Sequence, residues 1–395
     1  MKINKYIAAC VTLSIFLAST MYGGAFLVVV VELLLLLATM FSIRLNSKVY
    51  DKKTVLLLMS IFGYLLLISV FFQTIQYNIV TTILLFSQIF FVMVIANSDK
   101  DRSTIEYVYK FFLTTMLLLA IYSIVVYLFG NKVLVYNGAV GAYTQNLNVF
   151  GITLSQSGTG GDQIGTVNVG SVLNNPNTLS YFSLIALYIV AFSSGKISKK
   201  IVKSIVLLVA IYISGSRLAI VLACFIPLMI IVKHYVMGNK VKNIIVAGSI
   251  LLLIIVGAFN MDQIIANINF NGRMERWQVG IENITLFGRG LKSDELALSG
   301  VFGYDTAMHN SYIAMMDNFG IIMTVFLIIL LIIILKNLIK SDKKREYLIE
   351  FSILSILLIA SMSESIVFFV GGCNILFFIT LFNVVNINNN FKVKQ

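Results

Sequence analysis

Long apolar runs, broken only by short polar or basic clusters, fill this chain from end to end. About 20 consecutive apolar residues suffice to cross the hydrocarbon core of a bilayer as a helix. Runs of that order fall at 5–21, 25–43, 54–72, 78–96, 109–129, 178–194, 201–215, 218–233, 243–259, 310–335, 347–364 and 367–385. The first two form a hairpin through Met21, Tyr22, Gly23 and Gly24, and 201–215 is short enough to begin in the basic loop before it. Only 12% of the 395 residues are charged, against about 25% in a soluble domain, which argues against a soluble multidomain enzyme. The expected fold is an all-α polytopic integral membrane protein of about 12 transmembrane helices, a single membrane domain over 1–395.

Orientation follows from the cations. With the N-terminus cytoplasmic and the spans alternating, 23 of the 29 Lys and Arg residues fall inside, leaving Lys132, Arg217, Arg273, Arg276, Arg289 and Lys292 outside. That is the positive-inside bias, and it predicts both termini in the cytoplasm. The net charge of +12 is therefore topological, and nucleic-acid binding is not implied. Residues 5–21 read as a retained first span rather than a cleaved signal, because a second apolar segment follows at once. Cys10, Cys224 and Cys373 lie inside apolar runs without a CxxC or His companion and read as inert thiols. Glu32, alone in the second run, is a candidate buried acid that no motif supports.

Two long extracytoplasmic loops break the pattern, 130–177 and 260–309. Loops of that length carry function or are disordered. The first is rich in Gly, Asn, Ser and Thr and lacks the Lys of a P-loop, so it reads as a flexible, partly ordered loop. At its end Asn175 is placed as an N-cap, with Pro176 opening the next helix. In the second loop Arg273, Trp277 and Ile281 recur at helical spacing, continued by Ile284. The chain's single Trp places this short helix at the membrane interface. Its arginine either meets a lipid phosphate there or snorkels beside the anchor.

Arg217 follows Ser214-Gly215-Ser216 between two apolar runs. A charge at mid-bilayer costs about 2.5–3.5 kcal/mol, so it belongs near an interface or a wet cavity. It is either a helix-end stop signal or a guanidinium placed for bidentate phosphate capture. His309 opens the run after the second loop, eight residues before Asp317 and on its face if one helix runs through both. Imidazole suits proton transfer near neutrality, although a lone His also serves as a structural hydrogen-bonding group. No metal site is expected, since no second external His is available. Arg217, Arg273 and His309 together suit glycosyl transfer from a polyprenyl-diphosphate sugar. Cations would stabilise the departing diphosphate and the imidazole would deprotonate an attacking hydroxyl.

The order of several pieces resembles the O-antigen polymerase and O-antigen ligase superfamily. They are Asn174-Asn175-Pro176-Asn177-Thr178-Leu179, Ser214-Gly215-Ser216-Arg217-Leu218-Ala219, Gly272-Arg273-Met274-Glu275-Arg276-Trp277, Leu286-Phe287-Gly288-Arg289-Gly290, and His309-Asn310-Ser311-Tyr312 leading to Asp317-Asn318-Phe319-Gly320. They cover 174–320, and the flanking runs match only as hydrophobic helices. The resemblance implies a metal-independent, cofactor-free inverting glycosyltransferase with a GT-C-like fold in the cytoplasmic membrane, its active site facing outward. Arg217 and Arg273 would engage the undecaprenyl diphosphate and His309 would activate the acceptor. Arg276 and Asn177 would support them, and Asp317 would orient His309 or pack the helix.

The expected activity is polymerisation of undecaprenyl-diphosphate-linked oligosaccharide repeat units into capsular, exo- or O-antigen polysaccharide. Such a unit would be both donor and acceptor, membrane lipid the surroundings, and chain-length regulator and flippase proteins the possible partners. One alternative is an O-antigen ligase that hands the glycan to another acceptor. A second is a lipid-linked oligosaccharide flippase, although that class would line a central cavity with charge and show repeat symmetry.

Overall fold

The computed structural model describes residues 2–19, 52–71, 75–98, 103–137, 140–160, 167–173, 175–224, 226, 273–303, 307–340, 348–364 and 372–392. The expected spans 25–43 and 243–259, most of 218–233, and Glu32 lie outside these residues. The helices are α1 (Lys2–Leu17), α2 (Lys52–Phe71), α3 (Ile75–Ser98), α4 (Ser103–Phe129), α5 (Pro176–Phe192) and α6 (Ile197–Ser214). They continue with α7 (217–224), α8 (Arg273–Glu282), α9 (Ser293–Phe302), α10 (Ser311–Lys340), α11 (Leu348–Ala360) and α12 (Gly372–Lys392).

The protein is mostly helical. Ser103–Phe129 and Ser311–Ile333 are long and apolar enough to cross a membrane; at 1.5 Å per residue α4 is about 40 Å long, more than the ~30 Å of a hydrocarbon core. Leu118, Ile121, Leu128 and Phe129 lie exposed along α4, as do Ile322, Ile329 and Ile332 along α10. Helices that keep apolar faces outward as well as inward fit a lipid solvent. Inside, Phe16, Phe112 and Phe182 join α1, α4 and α5 with ring centroids 5.3–5.5 Å apart. Polar contacts order the helix ends: Asn4 of α1 donates to Ser103 of α4, and Lys200 donates to the carbonyls of Ala191 and Ser193 that end α5.

The loop expected to be flexible is instead an antiparallel sheet, so the chain is not all-α. Strands β1 (Asn131–Asn137), β2 (Val140–Val149), β3 (Ile152–Gly160) and β4 (Val167–Ser171) lie in that order. Their Asn, Gln, Ser and Thr side chains form cross-strand ladders: Thr153 donates to Asn148 at 2.6 Å, Ser155 to Asn146 at 2.7 Å and Gln156 to Gln145 at 2.7 Å. The composition that suggests disorder thus fixes the register. Tyr122 of α4 holds the sheet by donating to the Ser155 carbonyl at 2.6 Å. At the far edge Asn168 of β4 packs on Gly215, where any Cβ would collide with it and where φ is +71°.

Helix α10 is broken at Gly320 (φ +84°, ψ 162°), and the segment 285–290 repairs the gap. Arg289 and Gly290 N–H donate to the carbonyls of Asp317 and Asn318, while Ile321 and Ile322 N–H donate to those of Thr285 and Leu286, at 3.0–3.3 Å. Gly288 and Gly320 face each other so closely that a Cβ on either would strike the other's backbone segment. Tyr64 of α2 adds donation to the carbonyls of Phe287 and Phe319. Two of the motif segments noted in the sequence, 286–290 and 317–320, are therefore one hydrogen-bonded unit.

Candidate functional site

The N-terminus of α5, the start of α8, the turn leading into α10 and the turn after α11 meet at the carboxylate of Glu364. Asn175 caps α5 as expected, its side chain accepting from Asn177 N–H at 2.8 Å with Pro176 in the first turn, and this aims Asn177 at the cluster. Glu364 Oε1 accepts from Asn177 Nδ2 at 2.5 Å and from Arg273 Nη2 at 3.0 Å; Oε2 accepts from His309 Nδ1 at 2.9 Å. Arg273 Nη1 also donates to the Ser363 carbonyl at 3.0 Å. The Glu364 side chain is 7% exposed, and those of Arg273 and His309 are 25% and 23%. Charges so poorly hydrated seldom add net stability, whereas a functional centre explains their retention.

His309 is held in a backbone conformation that few residues adopt, with φ +53°. It lies outside α10, which starts at Ser311 and is capped by Asn310 Oδ1 accepting from the N–H groups of Tyr312 and Ile313 at 3.0 and 3.2 Å. Ser311 locks the turn after α11 by donating from Oγ to the Glu364 carbonyl and from N–H to the Ser361 carbonyl, both at 2.8 Å. Strained backbone held by so many bonds marks functional positions. Because a carboxylate only accepts, Nδ1 carries a proton, which leaves Nε2 as the ring's acceptor whenever only one nitrogen is protonated.

The other expected residues are placed differently. Asp317 does not orient His309; Glu364 holds that place. Asp317 is buried and accepts a fork from Arg289, Nε to Oδ1 at 2.7 Å and Nη2 to Oδ2 at 2.8 Å, which pins the broken part of α10. Trp277 is half-buried and donates to the Met308 carbonyl at 3.1 Å, so it anchors the residue before His309. Ile281 is 58% exposed, and Arg273 meets Glu364 where a lipid phosphate was one expectation. Arg276 is half-buried on α8. Arg217 is exposed at the start of α7. Its neighbour Ser216 is buried and interacts with the Tyr181 hydroxyl, which in turn meets Ser363 Oγ at 2.9 Å. Arg217 therefore begins its helix beside a buried serine that reaches Ser363, the residue before Glu364, through the Tyr181 hydroxyl.

Glu364 itself has no place in the sequence reading. Its available signal is a single carboxylate at the end of an apolar run, between Ser363 and Ser365. A second acid, Asp294 on α9, is buried where Asn318 Nδ2 donates to it at 3.1 Å. Burial, with smaller contributions from the Glu295 and Asp317 charges, pushes its carboxyl up to about 7. Among the described residues no three His, Cys, Asp or Glu side chains converge on one point.

Fold and site define a mostly helical protein with membrane-length apolar helices and a partly buried His–Glu–Arg–Asn cluster where four helix ends meet. The chain matches no protein-family model and no curated protein.

Proposed function

We propose that this protein is an integral-membrane inverting glycosyltransferase. In this reading it polymerises undecaprenyl-diphosphate-linked oligosaccharide repeat units on the outer face of the cytoplasmic membrane. The observation that carries the proposal is Glu364 holding His309 Nδ1 and Arg273 Nη2 on its two carboxylate oxygens. Three separate stretches of sequence that resemble the polymerase and ligase superfamily, around Asn177, Arg273 and His309, meet on that one side chain.

The chemistry that fits is a single displacement. A hydroxyl of the acceptor unit loses its proton to His309 Nε2 as its oxygen bonds to the donor's anomeric carbon. The bond from that carbon to the diphosphate oxygen breaks, and undecaprenyl diphosphate leaves with the electron pair. Glu364 keeps the imidazole in the required tautomer and stabilises the imidazolium that forms. Arg217 and Arg273, with Arg276 a turn further along α8, supply positive charge for the leaving group. About twelve spans with both termini cytoplasmic would put this end of the helices outside, where lipid-linked donors are the sugar source.

The test is the glycolipid profile of a strain lacking the protein, complemented with wild type or His309→Ala. Accumulation of single lipid-linked repeat units on the outer face, relieved by wild type and not by His309→Ala, is the expected result. Full-length polymer retained on its lipid carrier would favour a ligase, and repeat units retained inside the cell would favour a flippase; either would overturn the polymerase assignment.

A further inference from the structure

The hairpin of β2 and β3 has two unlike faces, and its tip is exposed. Asn146, Asn148, Thr153 and Ser155 occupy one face and bond each other across the strands. The alternation puts Leu147, Val149, Ile152 and Leu154 on the other, the face that carries the buried pair Gln145 and Gln156. About 13 Å beyond that pair, four residues along the strands, the same face runs out from under the sheet. Val149 and Ile152 are exposed there, and Phe150 at the turn is 102% exposed. The turn has positive φ at both central residues, 49° at Phe150 and 82° at Gly151. Asn or Asp is the usual first residue of such a turn, so an aromatic ring stands, fully exposed, at a position that disfavours it.

The sheet that carries this tip lies beside the end of α4. Strand β1 starts at Asn131, two residues after α4 ends, whereas Ser155 of β3 takes the hydroxyl of Tyr122. Asn131, Asn146 and Ser155 share one row across the strands, so that row lies beside the last two turns of α4 and the tip projects about 10 Å beyond it. Those turns expose Val125, Leu128 and Phe129, so the row from which the apolar tip projects stands beside an apolar stretch of helix surface. From Val140 to Gly160 the chain has no Lys, Arg, Asp or Glu, so nothing in the hairpin calls for a charged partner.

We propose that the Val149–Ile152 tip docks into the outer leaflet of the bilayer beside α4, with its Asn148/Thr153 face toward water. This rests on the reading of α4 as a membrane span, and it makes the sheet a second support holding the site end of the protein against the lipid. Single tryptophans at Phe150, Ile152 and Thr153, each added to the full chain, test it in vesicles of phosphatidylethanolamine and phosphatidylglycerol, with Trp277 of the wild type as baseline. Lipids brominated near the headgroup should quench the added emission of Phe150→Trp and Ile152→Trp strongly and leave that of Thr153→Trp nearly unchanged, while aqueous iodide gives the reverse pattern. If Phe150→Trp fails to fold, the Ile152 and Thr153 pair carries the comparison alone.

Iodide quenching of all three without lipid quenching would overturn the proposal. Shielding that appears only at high protein density would assign the face to a second copy of this chain, and shielding seen in native membranes but not in purified vesicles to another protein; both overturn it. Flotation of the wild type with the vesicles reports the spanning helices separately, so failure of the membrane reading is distinguishable from failure of the tip to dock.

Discussion

Replacing Glu364 with Gln keeps the shape of the side chain and removes one of its two acceptors. The carboxylate serves three donors, Asn177 and Arg273 on one oxygen and His309 on the other, and an amide can serve only one of those sides. If its NH2 group faces His309, the ring must shift its proton to Nε2 and loses its capacity as a base. If the NH2 faces Arg273 instead, donors oppose donors and a guanidinium 25% exposed loses its counter-charge. Breaking a buried pair in that way costs about 3–5 kcal/mol, and a general base is worth roughly 10²–10⁴ in rate. Glu364→Gln should therefore slow polymer formation by about 10²–10⁴-fold, and Glu364→Asp should recover part of that loss because it keeps the charge. The assay is the initial rate of ladder formation in isolated membranes, normalised to the amount of inserted protein. A Glu364→Gln rate within a few-fold of wild type would refute the role given to this carboxylate.

Lysine at Arg217 or at Arg273 keeps the charge and loses the fork; each should reduce ladder formation by about 10–100-fold, equivalent to one lost charge-assisted bond of about 1.5–3 kcal/mol, and intact ladders in both would remove the diphosphate-binding role. Asp294 has its carboxyl raised from 3.8 to about 7 by burial, so the native state holds that proton more tightly than the unfolded chain does. The stability it contributes is complete below about pH 3.8 and is lost as pH rises through about 7. Asp294→Asn keeps an acceptor for Asn318, so it should exceed wild type in thermal stability at pH 8 by more than at pH 5, and a difference independent of pH would contradict the argument. Gly320→Ala places a Cβ at φ +84° against the backbone of Leu286 and Phe287; a loss of at least about 1–3 kcal/mol, read as a lowered unfolding midpoint, is expected.

The helices were legible because apolar length is a direct signal of them, and the start of α5 was legible to the residue because Asn175 and Pro176 are a matched cap. The sheet was hidden for a physical reason: its register is set by amide and hydroxyl ladders such as Asn146–Ser155, which use the same residues as disordered loops. At the site, Arg273, His309 and Asn177 could be chosen as separate candidates, but the carboxylate uniting them could not, because Glu364 lies 55 residues beyond His309 at the end of an apolar run. The His309–Asp317 pairing failed because helical spacing does not apply across a residue at φ +53°. Asp317 was free to serve the break in α10 through Arg289.

In the proposed reaction the His309–Glu364 pair makes the glycosidic bond. Purified protein in vesicles, supplied with a defined lipid-linked repeat unit as the sole sugar, measures it directly. Chain elongation with inversion at the anomeric carbon, one undecaprenyl diphosphate released for each linkage made, and no elongation with His309→Ala are the expected results. Elongation that persists in His309→Ala, or movement of intact repeat units across the bilayer without any new linkage, would contradict that reaction.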